Sequence, residues 1–527
     1  MIRRLCLISG LLFVSMLQAA CGPAIEPGSS LHYGLTLAPS GIDPHLNASS
    51  ELTIPLGSVY DTLVFQDPSS GAFVPGLASS WTISTDGKHY TFDLRRDVTF
   101  QDGTPFNAES VRANLEYITN PDHHSQKALF LLGPLDRVQV VDEYTVALHL
   151  RQPYAPLLDS LSQVYLGMAS PTALETWGPQ DYGFHQVGTG PYAFVEYVPN
   201  DHLTMRANPA YAWAPAIYQH KKPSIETIVF RFYEDPATRA LALQSGEVDI
   251  IGEVPARDAV RLVEGGGYVL HPVPIPGQPT QYLLNTRRAP TNDLRVRQAL
   301  LRSVDRLALT RTVFGDESPM ADGPLSANTA GYFPAFAPFH QEIDAASALL
   351  DAAGWQRATS DSARMRNGQP LALRLVAPNW GSNPEVAELV AAAWRGLGAQ
   401  VELEVAPGFG PLKEAQAAGD YNAIGVNFFG HDPDLLRAFY RSDGLYNWAG
   451  LADPELDGLL DQGAAFVGPD SERTALYARV AERLADQAVL LPIRDYVNLV
   501  VARGTLDGLS FSSQGWNPFL IDLRLRP

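Results

Sequence analysis

Pro75-Gly76-Leu77-Ala78-Ser79-Ser80-Trp81 leads into Asp86-Gly87-Lys88-His89-Tyr90-Thr91-Phe92-Asp93-Leu94-Arg95 and on to Val98-Thr99-Phe100-Gln101-Asp102-Gly103. Tyr90, Phe92 and Leu94 alternate with Thr91, Asp93 and Arg95, the period-2 pattern of a half-buried strand. Asp86-Gly87 is a turn dipeptide, because glycine takes positive φ without steric penalty. Trp81-Thr82-Ile83-Ser84 precedes it, so the segment predicts a β-hairpin. Val98-Thr99-Phe100 predicts a further short strand, closed by Asp102-Gly103. Asn107-Ala108-Glu109-Ser110 then opens a helix, with Asn107 or Thr104 as N-cap. Taken alone, this is an antiparallel hairpin in an α+β domain.

Further segments lie on either side. Leu31 to Leu37 is a strand-like run, followed by Ile42-Asp43-Pro44-His45 and by Val59-Tyr60-Asp61-Thr62-Leu63-Val64. Downstream, Val187-Gly188-Thr189-Gly190-Pro191-Tyr192-Ala193-Phe194 combines two glycines and a proline into a tight reversal before a strand. It is no phosphate loop, since no Lys-Ser or Lys-Thr follows. Asn208-Pro209-Ala210-Tyr211 comes next. Ile228 to Phe232 alternates as a strand, Pro236 to Ser245 is a helix capped by Asp235 and stopped by Gly246, and Glu247 to Ile250 is again a strand. Such a strand-helix-strand unit implies a parallel sheet. Asp293 caps a helix from Leu294 whose Val296, Leu300 and Leu301 face a core, with Arg295 and Arg297 read as structural. Helices are also predicted over 345–353, 384–397 and 472–486, and strands over 401–405 and 497–501.

In residue identity and order, these segments resemble family 5 of the extracellular solute-binding proteins, the substrate receptors of ABC importers for oligopeptides, dipeptides, nickel and related solutes. The resemblance runs from Pro44 to about Leu509. It implies an α/β fold of the type II periplasmic-binding-protein class, with two hinged α/β lobes and an extra α+β subdomain inserted in lobe I. The expected limits are 31–46, 181–277 and 497–527 for lobe I, 47–180 for the inserted subdomain and 278–496 for lobe II. It also implies a function without bond-making chemistry: a solute is captured between the lobes and passed to ABC permease subunits. In peptide-binding relatives an acid just before a "DP" loop pairs with the peptide amino terminus. Asn427-Phe428-Phe429-Gly430 occupies that stretch here without an acid, leaving Asp432 or Asp434 as substitutes. Phe428, Phe429, Tyr446, Trp448 and Trp516 are candidate cleft walls, with ordinary core packing as the alternative for each. His431 is a candidate lone contact to the solute.

The ends and the composition fit a secreted receptor. Met1-Ile2-Arg3-Arg4 is basic, Leu5 to Met16 is apolar, and Leu17-Gln18-Ala19-Ala20-Cys21 ends in small residues, so residues 1–20 read as a signal peptide. Cleavage before Cys21 and acylation of its thiol would give a lipid anchor, although Gln18 stands where lipoproteins usually have leucine. Cleavage after Ala19 or Ala20 is the alternative. Residues 21–30, rich in Pro, Gly and Ser, read as a tether. With 527 residues, two or three domains are expected. A net charge of −19 disfavours nucleic acid and anionic lipid as partners. The only two cysteines are Cys6 and Cys21, which leaves the body without a disulfide or thiolate metal site. No cofactor is called for and no metal ligand set is read, since His123-His124 is the only adjacent histidine pair. The expected product is an extracytoplasmic monomer. A nickel or metal-chelate receptor and a chemosensory binding protein share the fold. A secreted hydrolase is remote, for want of a Gly-x-Ser-x-Gly elbow or a His-Glu-x-x-His helix.

Overall fold

The computed structural model describes residues 26–36, 41–47, 53–336, 340–359 and 362–526. The expected signal peptide and Cys21 lie outside them. The predicted hairpin forms, with Ala78–Ile83 antiparallel to His89–Leu94 and Trp81 opposite Phe92. Tyr90, Phe92 and Leu94 are buried, while His89 and Asp93 are exposed. Thr145–Leu150 and Leu135–Asp142 extend it to a four-stranded sheet. Asn107 caps the helix Ala108–Thr119, its side chain accepting from Ser110 N at 3.1 Å.

Three expectations need correction, the first being the strand Glu247 to Ile250, which forms only at Ile250–Ile251. Val98-Thr99-Phe100 is not a strand: only an isolated bridge joins Thr99 to Pro105. The turn at Asp102-Gly103 folds the chain back on itself, with Phe100 N bonded to Thr104 O at 2.8 Å, before a ladder can extend. The tether also ends earlier than Ser30, because Glu26–Leu35 is one strand. It pairs parallel with Ile225–Phe232 through an irregularity between Glu26 and Ser30. Glu226 N donates to Ser29 Oγ at 2.9 Å there, so turn-forming residues make a bulge inside a sheet instead of a free linker.

That strand is central to a seven-stranded sheet of order Tyr268–Pro274, Val497–Arg503, Ile250–Ile251, Glu26–Leu35, Ile225–Phe232, His202–Ala207, Tyr192–Val198. The strand-helix-strand unit is parallel as expected, but its two strands flank Glu26–Leu35 instead of pairing with each other. Its helix, Pro236–Ser245, has Asp235 as N-cap and Gly246 as C-cap. A five-stranded sheet takes the order Gln400–Ala406, Ala372–Pro378, Ala423–Gly425, Thr280–Leu284, Leu490–Arg494. Helices cover both its faces: Tyr282 and Leu284 enter one apolar cluster with Trp394, and Leu283 enters another with Trp448. Thr280–Leu284 is buried along its whole length, its polar Gln281 side chain donating to Val426 O at 3.1 Å. The four- and seven-stranded sheets share one core, in which Phe92, Tyr60 and Phe230 all take part.

The chain passes between the seven- and five-stranded sheets twice. One crossing follows Pro274 and the other follows Arg494. They run side by side, with Ile275 N bonded to Tyr496 O at 2.8 Å. Two adjacent extended connections are the arrangement about which lobes can hinge.

Candidate functional site

Several sequence landmarks converge on one buried carboxylate. Asp61 is 1 % exposed and accepts from Trp213 Nε1 at 2.9 Å, Thr189 Oγ1 at 3.1 Å and Tyr211 OH at 3.2 Å. Burial pushes its carboxyl up to about 6, against the pull of these donors. Gln101 bonds the same region, its N to Gly188 O at 3.0 Å and its Nε2 to Tyr192 O at 2.9 Å. The most recognisable motifs therefore weld the four-stranded sheet to the seven-stranded one. They are structural joints.

The cleft is built beside the two crossings. Residues 427–434 leave the strand Ala423–Gly425 and are pinned to the first crossing. Gln278 N bonds Phe428 O at 2.9 Å, Gly430 N bonds Pro276 O at 3.0 Å, and Phe429 bridges Gly277. In this extended segment neighbouring side chains point opposite ways. Phe428 turns into the five-stranded lobe against Phe439 and Tyr446, with centroids at 5.1 and 4.6 Å. Trp448, 3 % exposed, belongs to that same core. Phe429 turns the other way and meets Tyr496 at 4.8 Å and Trp516 at 5.2 Å. Trp516 rides on the first crossing: a side chain on Gly515 would meet Pro274 O at 2.7 Å, so only glycine allows that approach.

Two cavities adjoin at Trp516. The first is lined by Thr53, Lys127, Gln163, Tyr165, Phe429 and the loop 514–517, and the second by residues of 33–36 with Ile54, Gly252, Glu253 and Asn498. Trp516, 7 % exposed, lines both.

A model described as bacterial extracellular solute-binding proteins, family 5 Middle, matches residues 72–449. The chain belongs to this family. The nickel-binding periplasmic protein of Escherichia coli K12 is 28% identical over 491 residues, covering 89% of this chain and 90% of that one. The glutathione-binding protein GsiB of Salmonella choleraesuis is 34% identical over 280 residues, about half of each chain (53% and 52%). Among solved structures, NikA from Brucella suis in complex with Fe(III)-EDTA has a TM-score of 0.84 at 28% identity, covering 94% of this chain and 100% of that chain. The oligopeptide-binding protein AppA of Bacillus subtilis, in complex with a nonapeptide, shares the fold, with a TM-score of 0.81 at 17% identity and coverage of 96% and 100%. The type II two-lobed fold read from the sequence is thus the fold of the chain.

In this family 5 protein, Gln66, Ala155 and Asp159 also touch the five-stranded lobe directly. Ala155 N bonds Ala464 O at 2.8 Å. His431 Nδ1 lies 3.2 Å from Gln66 Nε2 and 3.7 Å from Asp159 Oδ1. Burial lowers the His431 pKa. Asp432 makes a two-pronged ion pair with Arg473, both contacts at 2.7 Å. Asp434, at 3 % exposure, pairs with Arg437. His431 therefore reaches across the seam beside the cleft, Asp432 and Asp434 are held by arginines of their own lobe, and none of the three lines the two cavities.

Burial first, and then the neighbouring Asp432, raise the Asp159 carboxyl to about 7. An acid raised in the fold holds a proton that the unfolded chain has released. Its stabilising contribution is full below about pH 4 and is lost as pH rises through about 7. Asp159→Asn is expected to melt less differently at pH 5 and pH 7.5 than the parent does. Equal pH differences in the two melting temperatures would refute this. Asp61 and Asp495, raised by burial to about 6 and about 7, leave a residual slope of the same sign.

Sequence reasoning did not single out Lys127, Gln163, Tyr165, Glu253, Tyr496, Gln514 or Asn517. One signal was present: Lys127 is a lone cation heading the apolar helix Lys127–Leu132.

Proposed function

We propose that this protein captures a peptide or related small solute between its two lobes and delivers it to the membrane subunits of an ABC importer. It acts by binding alone, without covalent chemistry. The reading is carried by the position of the Phe429, Tyr496 and Trp516 cluster, which draws on both sides of the two crossings and so changes shape when the lobes move. A solute stabilises the closed form only through contacts absent from the open one, and walls at the hinge supply such contacts. The lobe limits expected from the sequence are part of the reading, with lobe I starting at the strand Glu26–Leu35. Among the described residues no helix is long and apolar enough to cross a membrane, and acylated Cys21 would hold the monomer at the outer face of the membrane. The mass of the N-terminal peptide of the mature protein distinguishes acylated Cys21 from cleavage after Ala19 or Ala20.

The experiment is mass spectrometry of solutes released from the purified protein, with a thermal-shift screen of peptides and metal chelates. A solute that binds only the folded state raises the melting temperature by linkage. Trp516→Ala is expected to weaken the bound solute about 30- to 1000-fold, the range for a buried aromatic anchor. Trp516→Phe, which keeps the wall, should lose less. Unchanged affinity in both variants would place the site elsewhere.

One observation favours a second reading, a nickel or metal-chelate receptor: the nickel-binding relative aligns with 89% of this chain. Stabilisation by a chelate and by no peptide would select it.

A further inference from the structure

Away from the two crossings, the lobes meet along a seam. On one side stand the strand Val64–Gln66 and the helix Leu157–Leu161, whose Val64, Leu157 and Leu161 enter the core shared by the four- and seven-stranded sheets. On the other stand His431, Asp432 and the helix Asp470–Asp486, whose Tyr477 and Val480 enter the core of the five-stranded lobe. The fit is close: a Cβ on Gly87, in the hairpin turn, would meet Val467 Cγ2 at 2.7 Å.

Asp159 is buried in this seam at 5 % exposure. Its Oδ2 accepts from Gln163 Nε2 at 2.9 Å, and its Oδ1 has no hydrogen-bond partner. Oδ1 faces His431 Nδ1 across 3.7 Å. Gln66 Nε2 bonds Gly71 O at 3.0 Å, which fixes its amide, and the same nitrogen donates to His431 Nδ1 at 3.2 Å. His431 Nδ1 is therefore an acceptor and carries no hydrogen. Two acceptors from opposite lobes thus confront each other across a buried gap. An ionised carboxylate there loses water and gains no donor, whereas a neutral carboxyl supplies the missing hydrogen.

The surrounding charges point the same way. Lys127 lies on the Asp159 side, over the Tyr165 ring at 4.3 Å, and so faces it whether the lobes are together or apart. Tyr154 is on that side too. His431, Asp432 and Arg473 come from the other lobe, and Arg473 spends both its contacts of 2.7 Å on Asp432. Asp434 comes paired with Arg437. Among the described residues, closure therefore brings Asp159 a cover and a second carboxylate, and no cation without a partner of its own. Burial and then Asp432 accordingly raise its carboxyl, while burial lowers His431.

Resting on the receptor reading, we infer that the closed lobes are latched by one proton, held on the Asp159 carboxyl against His431. The latch adjoins the cleft, because Gln163 bonds Asp159 and lines the first cavity. With the lobes apart, the pair gives up its proton near the ordinary histidine value of about 6.5. With the lobes together it does so near 7. The stabilisation of the closed form is thus present at pH 6 and lost as pH rises through about 7, and solute affinity should fall only about 3-fold between pH 6 and pH 8. Substituting the acid exposes its larger share, because an asparagine amide carries its hydrogen at every pH.

The test is calorimetry at pH 6 and pH 8 on the purified protein and its variants. The probe is the solute released on denaturation or, where none is carried, the tightest of a panel of dipeptides, glutathione and Fe(III)-EDTA. The titration of the probe, and that of Asp61 and Asp495, cancels in the ratio of variant to parent affinity. For Asp159→Asn this ratio should rise about 10-fold from pH 6 to pH 8. His431→Lys sets a permanent cation opposite the carboxyl and removes the need for the proton. Its own ratio should rise about 3-fold, and Asp159→Asn made in that background should act equally at both pH values. A ratio for Asp159→Asn that stays constant overturns the latch and leaves the receptor reading intact, as does a rise undiminished in the His431→Lys background. Should Asp159→Asn fail to fold, a constant ratio for His431→Lys overturns it alone. A protein that binds no member of the panel, and releases nothing on denaturation, sinks both.

Discussion

Arg473→Met is expected to lower the stability of the protein by about 3–5 kcal/mol, the cost of leaving one charge of a buried pair behind. Arg473 and Asp432 are each 13% exposed and meet through two parallel contacts of 2.7 Å. Arg473 Nε also donates to Gly463 O at 2.9 Å, and its guanidinium lies 5.4 Å from the Tyr477 ring centroid. Without it, the Asp432 carboxylate keeps its burial and loses its counter-charge. The effect reaches the cleft, because Asp432 is three residues from Phe429 on the segment pinned to the first crossing. Replacing both partners by apolar residues, Asp432→Leu with Arg473→Met, should recover much of the loss, since a well-packed apolar pair costs no desolvation. Chemical denaturation of the three proteins decides it. A double variant as unstable as the single one would mean that the pair matters for shape and not for charge balance.

The second large effect is expected at Gly188. A Cβ there would fall far inside van der Waals contact with the carbonyl oxygen of Val59, and one on Gly190 would do the same with that of Ser58. Both oxygens are in use: Gly190 N donates to Val59 O at 2.9 Å, and Tyr192 N to Ser58 O at 3.0 Å. Gly188→Ala must therefore separate two backbones that Thr189 and Asp61 hold together. A loss of at least about 3 kcal/mol is expected, beyond ordinary overpacking because the obstacle is backbone. Gly458→Ala is the control. It lies inside the helix Pro454–Ala464, where a Cβ would meet, beyond the helix's own backbone, only the Gln462 side chain at 3.9 Å, and should be neutral or stabilising by up to about 1 kcal/mol. If Gly188→Ala melts with the parent, the joint between the sheets is softer than its geometry says.

These two sites show why the fold was easier to read than the cleft. Gly188 and Asp61 sit in runs whose residue order carries the resemblance, and their constraints are local: a reversal, a buried acid, a strand. The cleft draws on positions 53, 127, 163–165, 253, 429, 496 and 514–517, which only the completed fold brings together. Phe428 and Phe429 make the point most sharply. They are identical in type and adjacent, yet one packs in the five-stranded lobe and the other at the hinge. A one-residue change of register exchanges such roles, and nothing in the sequence fixes that register. Phe429 and Trp516 were among the expected walls, whereas Lys127 and Glu253 carry no motif at all. The Pro-, Gly- and Ser-rich start failed as a tether for a related reason: composition reports local freedom, and the partner strand Ile225–Phe232 removes it.

The strand order also bears on the order of assembly. Val497–Arg503 lies between Tyr268–Pro274 and Ile250–Ile251, so the seven-stranded sheet has a vacant slot until almost the whole chain has been delivered. A polypeptide made amino end first cannot complete this sheet early. Pairings so distant along the chain form slowly, because loop closure must precede them. The late strand thus acts as a closing stave, so the sheet is sealed by one of the last segments to be made.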